Sequence, residues 1–203
     1  EMIFMHLRTS TNYDDEEKKL VGGKNGYGIK LVFVFAKWGE IETIDHVRKL
    51  KYTQRVESNL SKIHKPKIEP YTGKPYTKVR WMPDYEKFGL EGMTDDIWSL
   101  LRKRAFDIAA VTPKSLSVKI QGKDIDIKTF EQYADMYIGN REQSPRIVQT
   151  NDRWECVVGL SPLDEFSQVS FVNGIFTGKG GKHVDYITNQ ICKKMIEYIK
   201  RKK

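Results

Sequence analysis

The chain has few cysteines, no long apolar run and no internal repeat, and each absence excludes a class of protein. Cysteine occurs only at Cys156 and Cys192, which is too few for a disulfide framework or a cysteine-based metal cluster. We therefore expect both to be buried free thiols. The longest apolar run, residues 31–36, is far shorter than the roughly 18 residues of a membrane-spanning helix, and no signal sequence opens the chain. These absences predict a soluble, intracellular protein.

Positive charge is what the sequence has in excess. Lysine and arginine number 35 against 27 aspartates and glutamates, so the net charge is +8 and anionic partners such as phosphates or nucleic acid are favoured. With 39% hydrophobic and 31% charged residues among 203, the chain is ordinary for a folded protein of one large or two small domains. It opens with Glu1 and the mainly apolar residues 2–7, a pattern typical of the middle of an element, so we expect a fragment of a longer protein.

The patterns of apolar residues predict an α+β protein. Alternation and β-branched residues predict strands at 41–44, 52–56, 77–82, 116–120, 125–127, 146–150, 153–158 and 168–172. Helical spacing and start signals predict helices at 94–108, 129–137 and 184–199. One stripe of the first of these helices holds Met93, Ile97, Leu100, Leu101, Arg104, Ala105 and Ile108. The polar, breaker-rich residues 139–145 predict a domain boundary.

A glycine-rich segment, residues 21–30, carries the clearest sign of chemistry. Its sequence is Val-Gly-Gly-Lys-Asn-Gly-Tyr-Gly-Ile-Lys, and it follows a polar stretch at 9–20. Glycines permit positive φ and close approach, so successive backbone amides can point at one anion. A helix starting at Ile29 would add free amides, and Lys30 could place an ammonium on a phosphate. The run from Ile29 to Ala36 also fits a buried strand, although we favour the helix.

The spacing of these glycines excludes the commonest phosphate-binding motifs. A P-loop requires Lys-Ser/Thr after its last glycine, whereas Gly28 is followed by Ile29, Lys30 and Leu31. A dinucleotide or kinase loop requires a glycine where Leu31 stands. Composition alone would favour a glycine-rich hairpin or lid with a solvated lysine. The acidic-then-basic run at 14–19 is expected to be solvated.

The residues from Leu7 to Lys30 resemble, almost one for one, the ATP lid of eukaryotic-type type II DNA topoisomerases. The resemblance covers nearly the whole chain in order. It is sharpest at 102–107, 151–154, 170–173 and 179–186. It implies part of an ATPase domain of the gyrase, chaperone, histidine-kinase and mismatch-repair (GHKL) superfamily over 1–140. The same resemblance implies the start of a β-α transducer domain, similar to ribosomal protein S5, over 141–203. The expected fold is thus a partial mixed-sheet and helix sandwich followed by a β-α unit.

The resemblance also implies the residues that bind ATP. They are Ser10, Thr11, Asn12, Gly23, Lys24, Asn25, Gly26, Tyr27, Gly28, Ile29 and Lys30. The first three would supply hydroxyl and amide groups and the rest a phosphate cradle. Family members usually have a small residue where Ile29 stands, so the packing behind the loop is expected to differ here.

By the same resemblance, Lys200, Arg201 and Lys202 would meet the phosphates of a captured DNA duplex; the alternative is a solvated helix end. The catalytic glutamate, the magnesium ligands and the DNA-breaking tyrosine are expected outside the chain, so this fragment alone should not turn over ATP. The parent would be a homodimer, nuclear if cellular and in the host cell if viral. The alternatives are another clamp ATPase of the superfamily, of mismatch-repair or chaperone type, and a non-enzymatic basic DNA-binding module.

Overall fold

The computed structural model describes residues 1–14, 16–17 and 22–202, which divide into two compact units. The first unit holds the described residues up to 17 together with residues 23–94, and the second holds residue 22 and residues 95–202. This division lies at 94/95, whereas the predicted domain boundary lies at 140/141. The latter concerns a family domain and stays a prediction.

The first unit is a five-stranded antiparallel sheet with two short helices. Its elements are α1 (Met2–Met5), α2 (Gly28–Val34), β1 (Ala36–Asp45), β2 (Leu50–Glu57), β3 (Lys62–Ile63), β4 (Lys67–Pro70), β5 (Thr77–Pro83) and a 3₁₀ helix (Tyr85–Phe88). The strand order is β3-β2-β1-β5, and β4 also pairs with β2. The predicted strands at 41–44, 52–56 and 77–82 are confirmed as parts of β1, β2 and β5.

The core of the first unit joins α2 to the sheet. Ile41 and Val56 are each 1% exposed and pack with Met5 and with Phe33, which is fully buried. A side chain at Gly39 would bring a Cβ within 2.5 Å of the Phe33 ring, so a glycine there permits this approach. The helix predicted behind the glycine loop is confirmed, and the strand alternative is wrong for residues 28–34.

The second unit contains three helices and three β-hairpins. Its elements are α3 (Asp95–Val111), β6 (Lys119–Ile120), β7 (Lys123–Asp124), α4 (Phe130–Ile138), β8 (Arg146–Thr150), β9 (Glu155–Gly159), β10 (Phe171–Val172), β11 (Ile175–Phe176) and α5 (Lys182–Lys202). The core combines Ala109 and Ala110 of α3 with Ile125, Ile127 and Tyr133. The predicted helices and the hairpin at 146–158 are confirmed. Of the predicted strands 116–120 and 168–172 only the ends, 119–120 and 171–172, are strands. The predicted strand 125–127 is wrong, because the partner of β6 is residues 123–124.

Two buried charges in the second unit are fully partnered. Asp107 accepts hydrogen bonds from Tyr133 Oη at 2.6 Å, Lys103 Nζ at 2.7 Å and Arg104 Nη1 at 3.1 Å. The side chain of Arg146 is 0% exposed; it bonds Asp135 and the carbonyls of Gly139 and Ser144. Asp107 thus connects α3 to α4, and Arg146 connects β8 to α4.

Three sequence predictions need correction. Leu100, Leu101 and Ile108 of the predicted α3 stripe are exposed, because α3 packs through the neighbouring face that carries Ala109 and Ala110. Cys192 is exposed on α5 and Cys156 is half-buried, so neither is the fully buried thiol we expected. Burial raises the pKa of Cys156.

Two further expectations concern the solvated run at 14–19 and the lack of a membrane-spanning helix. Residues 15 and 18–19 of the predicted solvated run, together with residues 20, 21 and 203, lie outside the described residues. Among the described helices, none is long and apolar enough to cross a membrane.

Candidate functional site

A cavity of about 580 Å³ in the first unit brings together most of the predicted ATP-binding residues. It is lined by Ile3, Thr9, Ser10, Thr11, Gly23, Lys24, Asn25, Gly26, Tyr27, Gly28, Ile29 and Lys30. Its volume lies within the 300–1,000 Å³ of typical ligand sites. Ten of the eleven predicted residues therefore share one cavity, and Asn12 is not in its lining.

The glycine loop needs glycine at two of its positions. Gly23 and Gly26 have φ of 100° and 65°, a region that side chains disfavour. A Cβ at Gly26 would also lie 3.0–3.2 Å from backbone atoms of Thr9 and Ser10. Gly26 thus lets the loop lie directly against the segment that supplies the predicted hydroxyl groups.

Polar side chains outside the lining hold the loop in place. Asn12 Nδ2 donates to the carbonyl of Gly23 at 2.9 Å, and its backbone amide donates to Ser10 Oγ at 3.1 Å. Arg8 Nε donates to Tyr27 Oη at 3.3 Å, and Tyr13 Oη donates to the Asn25 carbonyl at 3.4 Å. Asn12 therefore supports the loop backbone, whatever its role toward a ligand.

Lys30 is the most unusual residue of the cavity. It is only 2% exposed, and its Nζ donates to Thr9 Oγ1 at 2.7 Å. Among the residues described, no carboxylate oxygen lies within 4.0 Å of that ammonium. Burying a charge without a counter-charge is costly, so an anion beside Lys30 would offset that cost.

The other groups of the cavity suit the same anion. Ser10 and Thr11 offer hydroxyl groups, and the loop offers backbone amides. Helix α2 begins at Gly28 but has only seven residues, so its dipole is a small addition. The main positive charge in the cavity is that of Lys30, with the exposed Lys24 at its rim.

Thr9 and Ile3 line the cavity, although the predicted site did not include them. Thr9 accepts the hydrogen bond of Lys30, and its Oγ1 also lies 3.1 Å from the His6 carbonyl. Adjacency to Ser10 was the only sequence signal for Thr9. Ile3 carried none.

Among the described residues, this cavity has neither a carboxylate nor an imidazole in its lining, and no cluster that could hold a metal ion is found. None of the described lining residues is aspartate, glutamate or histidine. Over the described ranges, no cluster of three such side chains or cysteines could hold a metal ion.

The predicted DNA-binding residues lie in the last turn of α5. Lys200, Arg201 and Lys202 are all exposed, and Lys202 Nζ lies 5.3 Å from the centre of the Tyr198 ring. Three cations on one helix end form a surface that could meet phosphates, and they also complement the helix dipole.

Comparisons with known proteins agree on one family. A family model described as DNA gyrase B matches residues 121–203. The chain is 45% identical to DNA topoisomerase 2 of Arabidopsis thaliana over 210 residues, which cover 100% of this chain and 14% of that protein.

Two solved structures share the fold over nearly the whole chain. The ATPase region of Saccharomyces cerevisiae topoisomerase II matches with a TM-score of 0.91 and 42% identity, over 98% of this chain and 53% of that one. The ATPase and transducer domains of DNA topoisomerase II from Balamuthia mandrillaris match at 0.90 and 38%, over 98% and 51%. The predicted α+β fold, part of an ATPase region followed by the start of a transducer, is confirmed.

Proposed function

Because the chain belongs to the eukaryotic type II DNA topoisomerase family, we propose that it supplies the phosphate-binding part of an ATP-operated clamp. In the full-length enzyme this clamp would pass one DNA duplex through another. The chain spans 14% of the length of its Arabidopsis thaliana relative, so the activity belongs to the longer protein. The alternatives of a mismatch-repair or chaperone ATPase and of a non-enzymatic DNA-binding module have no comparable support.

The observation that carries this proposal is the buried Lys30. Its ammonium has one hydroxyl partner and, within the described chain, no carboxylate partner. A triphosphate would supply the missing negative charge, with the Gly23–Gly28 amides and the hydroxyls of Ser10 and Thr11 as further donors. Asn12 would act by holding Gly23.

Catalysis would need groups from elsewhere in the enzyme. The cavity lining as described has no carboxylate or imidazole to activate water, so we assign these residues to binding and orientation. Magnesium ligands are likewise proposed to come from outside the described residues. Residues 1–203 alone are therefore expected to bind nucleotide without turning it over.

The remaining assignments extend the proposal to the partners. We assign Lys200, Arg201 and Lys202 to non-specific contact with DNA phosphates, residues 1–140 to the ATPase domain and 141–203 to the transducer domain. The enzyme would work as a homodimer that ATP closes around a duplex. It would act inside the cell, in the nucleus of a cellular eukaryote or in the host cell of a virus.

ATP-dependent decatenation by the full-length enzyme tests the nucleotide assignment. Lys30→Ala should lower nucleotide affinity about 10- to 100-fold, since a charge-assisted hydrogen bond is typically worth about 1.5–3 kcal/mol. Decatenation by this variant should therefore require a correspondingly higher ATP concentration. Lys65→Ala is the matched control, because Lys65 is an exposed lysine of the same unit. Decatenation that needs no ATP would refute the proposal. Equal effects of the two substitutions would remove Lys30 from the site.

The salt dependence of DNA binding tests the basic end of α5. Replacing Lys200, Arg201 and Lys202 by alanine should reduce the slope of log affinity against log salt by up to about three, one for each lost phosphate contact. Replacement of Lys114, Lys119 and Lys123, which are exposed elsewhere in the second unit, is the charge-matched control. An unchanged slope would assign the helix end to solvation only.

A further inference from the structure

The turn between β2 and β3 has an unusual backbone. Ser58, Asn59 and Leu60 are consecutive and have φ of 52°, 58° and 67°. Non-glycine residues seldom adopt this left-handed conformation, and asparagine tolerates it best. Such strain persists only where the surrounding contacts maintain it, and it is frequent near functional sites.

The strained turn directs two side chains toward the end of α2. Asn59 Nδ2 donates to the Ala36 carbonyl at 3.2 Å and to Asp84 Oδ2 at 3.0 Å. Leu60 packs against the core cluster that contains Phe33 of α2. One turn therefore contacts both the buried face of α2 and the residues that follow the helix.

Backbone hydrogen bonds continue this connection into α2. The buried Asp84 donates its amide to the Phe35 carbonyl at 2.8 Å, and Phe35 donates its own amide to the Leu31 carbonyl at 3.1 Å. Leu31 follows Lys30 directly. The end of α2 is thus bonded to Asp84, and Asp84 to Asn59.

Helix α2 depends on such anchors because it is short. Seven residues make a helix of about 10 Å, below the length at which helices are stable by themselves. Its position, and with it the position of the Lys30 ammonium, must therefore be set by tertiary contacts. Small displacements of a group that orients a ligand have large effects.

We propose that Asn59 is a positioning residue of the nucleotide site, which fixes the C-terminal end of α2 and thereby the placement of Lys30. The inference rests on the proposed ATP-binding function. Its structural part, that Asn59 anchors α2, does not need a nucleotide and can be tested separately.

Two glycine substitutions separate the effect of the Asn59 side-chain amide from the effect of the strained backbone. Asn59→Gly removes the side-chain amide but suits positive φ, so it adds no backbone strain. Ser58→Gly relieves the strain next to it and keeps the amide. Ile44→Ala, at a buried position of β1 outside the core cluster that contains Phe33, is the control for general loss of stability.

Amide hydrogen exchange in the nucleotide-free, full-length enzyme tests the anchor. In Asn59→Gly, exchange at the amides of Leu31 and Phe35 should be faster by on the order of tenfold, because local opening of α2 is favoured. Ser58→Gly and Ile44→Ala should leave these two amides as in the wild type. Unchanged exchange in Asn59→Gly, or equally fast exchange in Ile44→Ala, would overturn the inference.

Steady-state ATPase kinetics test the consequence for the site. Asn59→Gly should raise the KM for ATP about five- to tenfold with kcat within about twofold of the wild type, since the chemical groups are intact. Ser58→Gly and Ile44→Ala should keep the wild-type KM. An unchanged KM in Asn59→Gly with faster exchange would overturn the positioning role. A wild type that binds no nucleotide would instead refute the proposed function, and the exchange result would still decide the anchor.

Discussion

Lys30 and Arg146 are both buried cations, but their hydrogen-bond partners differ. The Arg146 guanidinium meets a carboxylate and two backbone carbonyls. The Lys30 ammonium meets one threonine hydroxyl and, over the described residues, no carboxylate. The first arrangement is complete without any ligand, whereas the second leaves an ammonium beside a cavity with no carboxylate partner in the described part of the chain.

The partners of a buried charge indicate whether its role is structural or functional. A charge whose partners belong to its own chain stabilises the folded state, and its removal leaves those partners unsatisfied. A charge without such partners destabilises the free protein and gains its partner on binding. Substitution of Arg146 should therefore mainly lower the free energy of unfolding, whereas substitution of Lys30 should mainly weaken binding.

The largest effect on stability is expected at Arg146. Arg146→Ala should lower the free energy of unfolding by about 3 kcal/mol, toward the low end for buried pairs because Asp135 is 38% exposed and can be hydrated. Urea denaturation followed by circular dichroism measures the change. Arg141→Ala is the control, since the Arg141 side chain is 70% exposed and its pair with Glu131 is worth less than about 1 kcal/mol. Equal losses of unfolding free energy in the two variants would contradict a specific structural role for the buried Arg146.

A smaller effect, of opposite sign, is expected at Lys30. Lys30→Met keeps most of the length of the side chain and removes a buried charge that has no carboxylate partner among the residues described. The melting temperature of the nucleotide-free enzyme should therefore stay the same or rise by a few degrees. The stabilisation that ATP gives the wild type should disappear. Thermal denaturation with and without ATP measures both. A nucleotide-free loss as large as that of Arg146→Ala would make Lys30 a structural residue.

The smallest effect is expected for charges on the sheet surface. Hydrogen bonds from Arg55, then His64 and Lys62, lower the pKa of Glu57 from 4.5 to about 2. The pKa of Glu57 is lower in the folded than in the unfolded protein, so the charged carboxylate stabilises the fold. This stabilisation is complete above about pH 4.5 and is lost as the pH falls toward 2. Glu57→Gln should flatten the decline of melting temperature over that interval. Glu91→Gln, at an exposed position, should leave the decline as in the wild type; a flattening there too would deny Glu57 a specific part in it.

Local patterns predicted the elements of the fold well. Alternating residues identified β1, β2 and β5, and Thr129 marked the start of α4, where it forms a capping box with Gln132. The predicted buried face of α3 was wrong. Leu100 and Ile108 are more apolar than Ala109 and Ala110, but it is the two alanines that are buried, because small side chains permit closer packing. Periodicity reveals a helix more reliably than the side that its neighbours will cover.

The candidate site was predictable in its members but less so in its physical state. The glycine spacing and the resemblance gave ten residues of the cavity lining. The burial of Lys30 and its bond to Thr9 could not be read from the sequence, because they depend on α2 packing against residues distant along the chain. The left-handed turn at 58–60 has no periodic signature, and only Asn59 has a residue type that suits it.

The buried ammonium of Lys30 also bears on the choice of laboratory buffer. Sulfate and inorganic phosphate have the charge and the acceptor oxygens of a nucleotide phosphate, so they should compete for the same amides and hydroxyls. Nucleotide affinities measured in sulfate or phosphate buffers should therefore come out weaker than those measured in buffers of large organic anions at equal ionic strength.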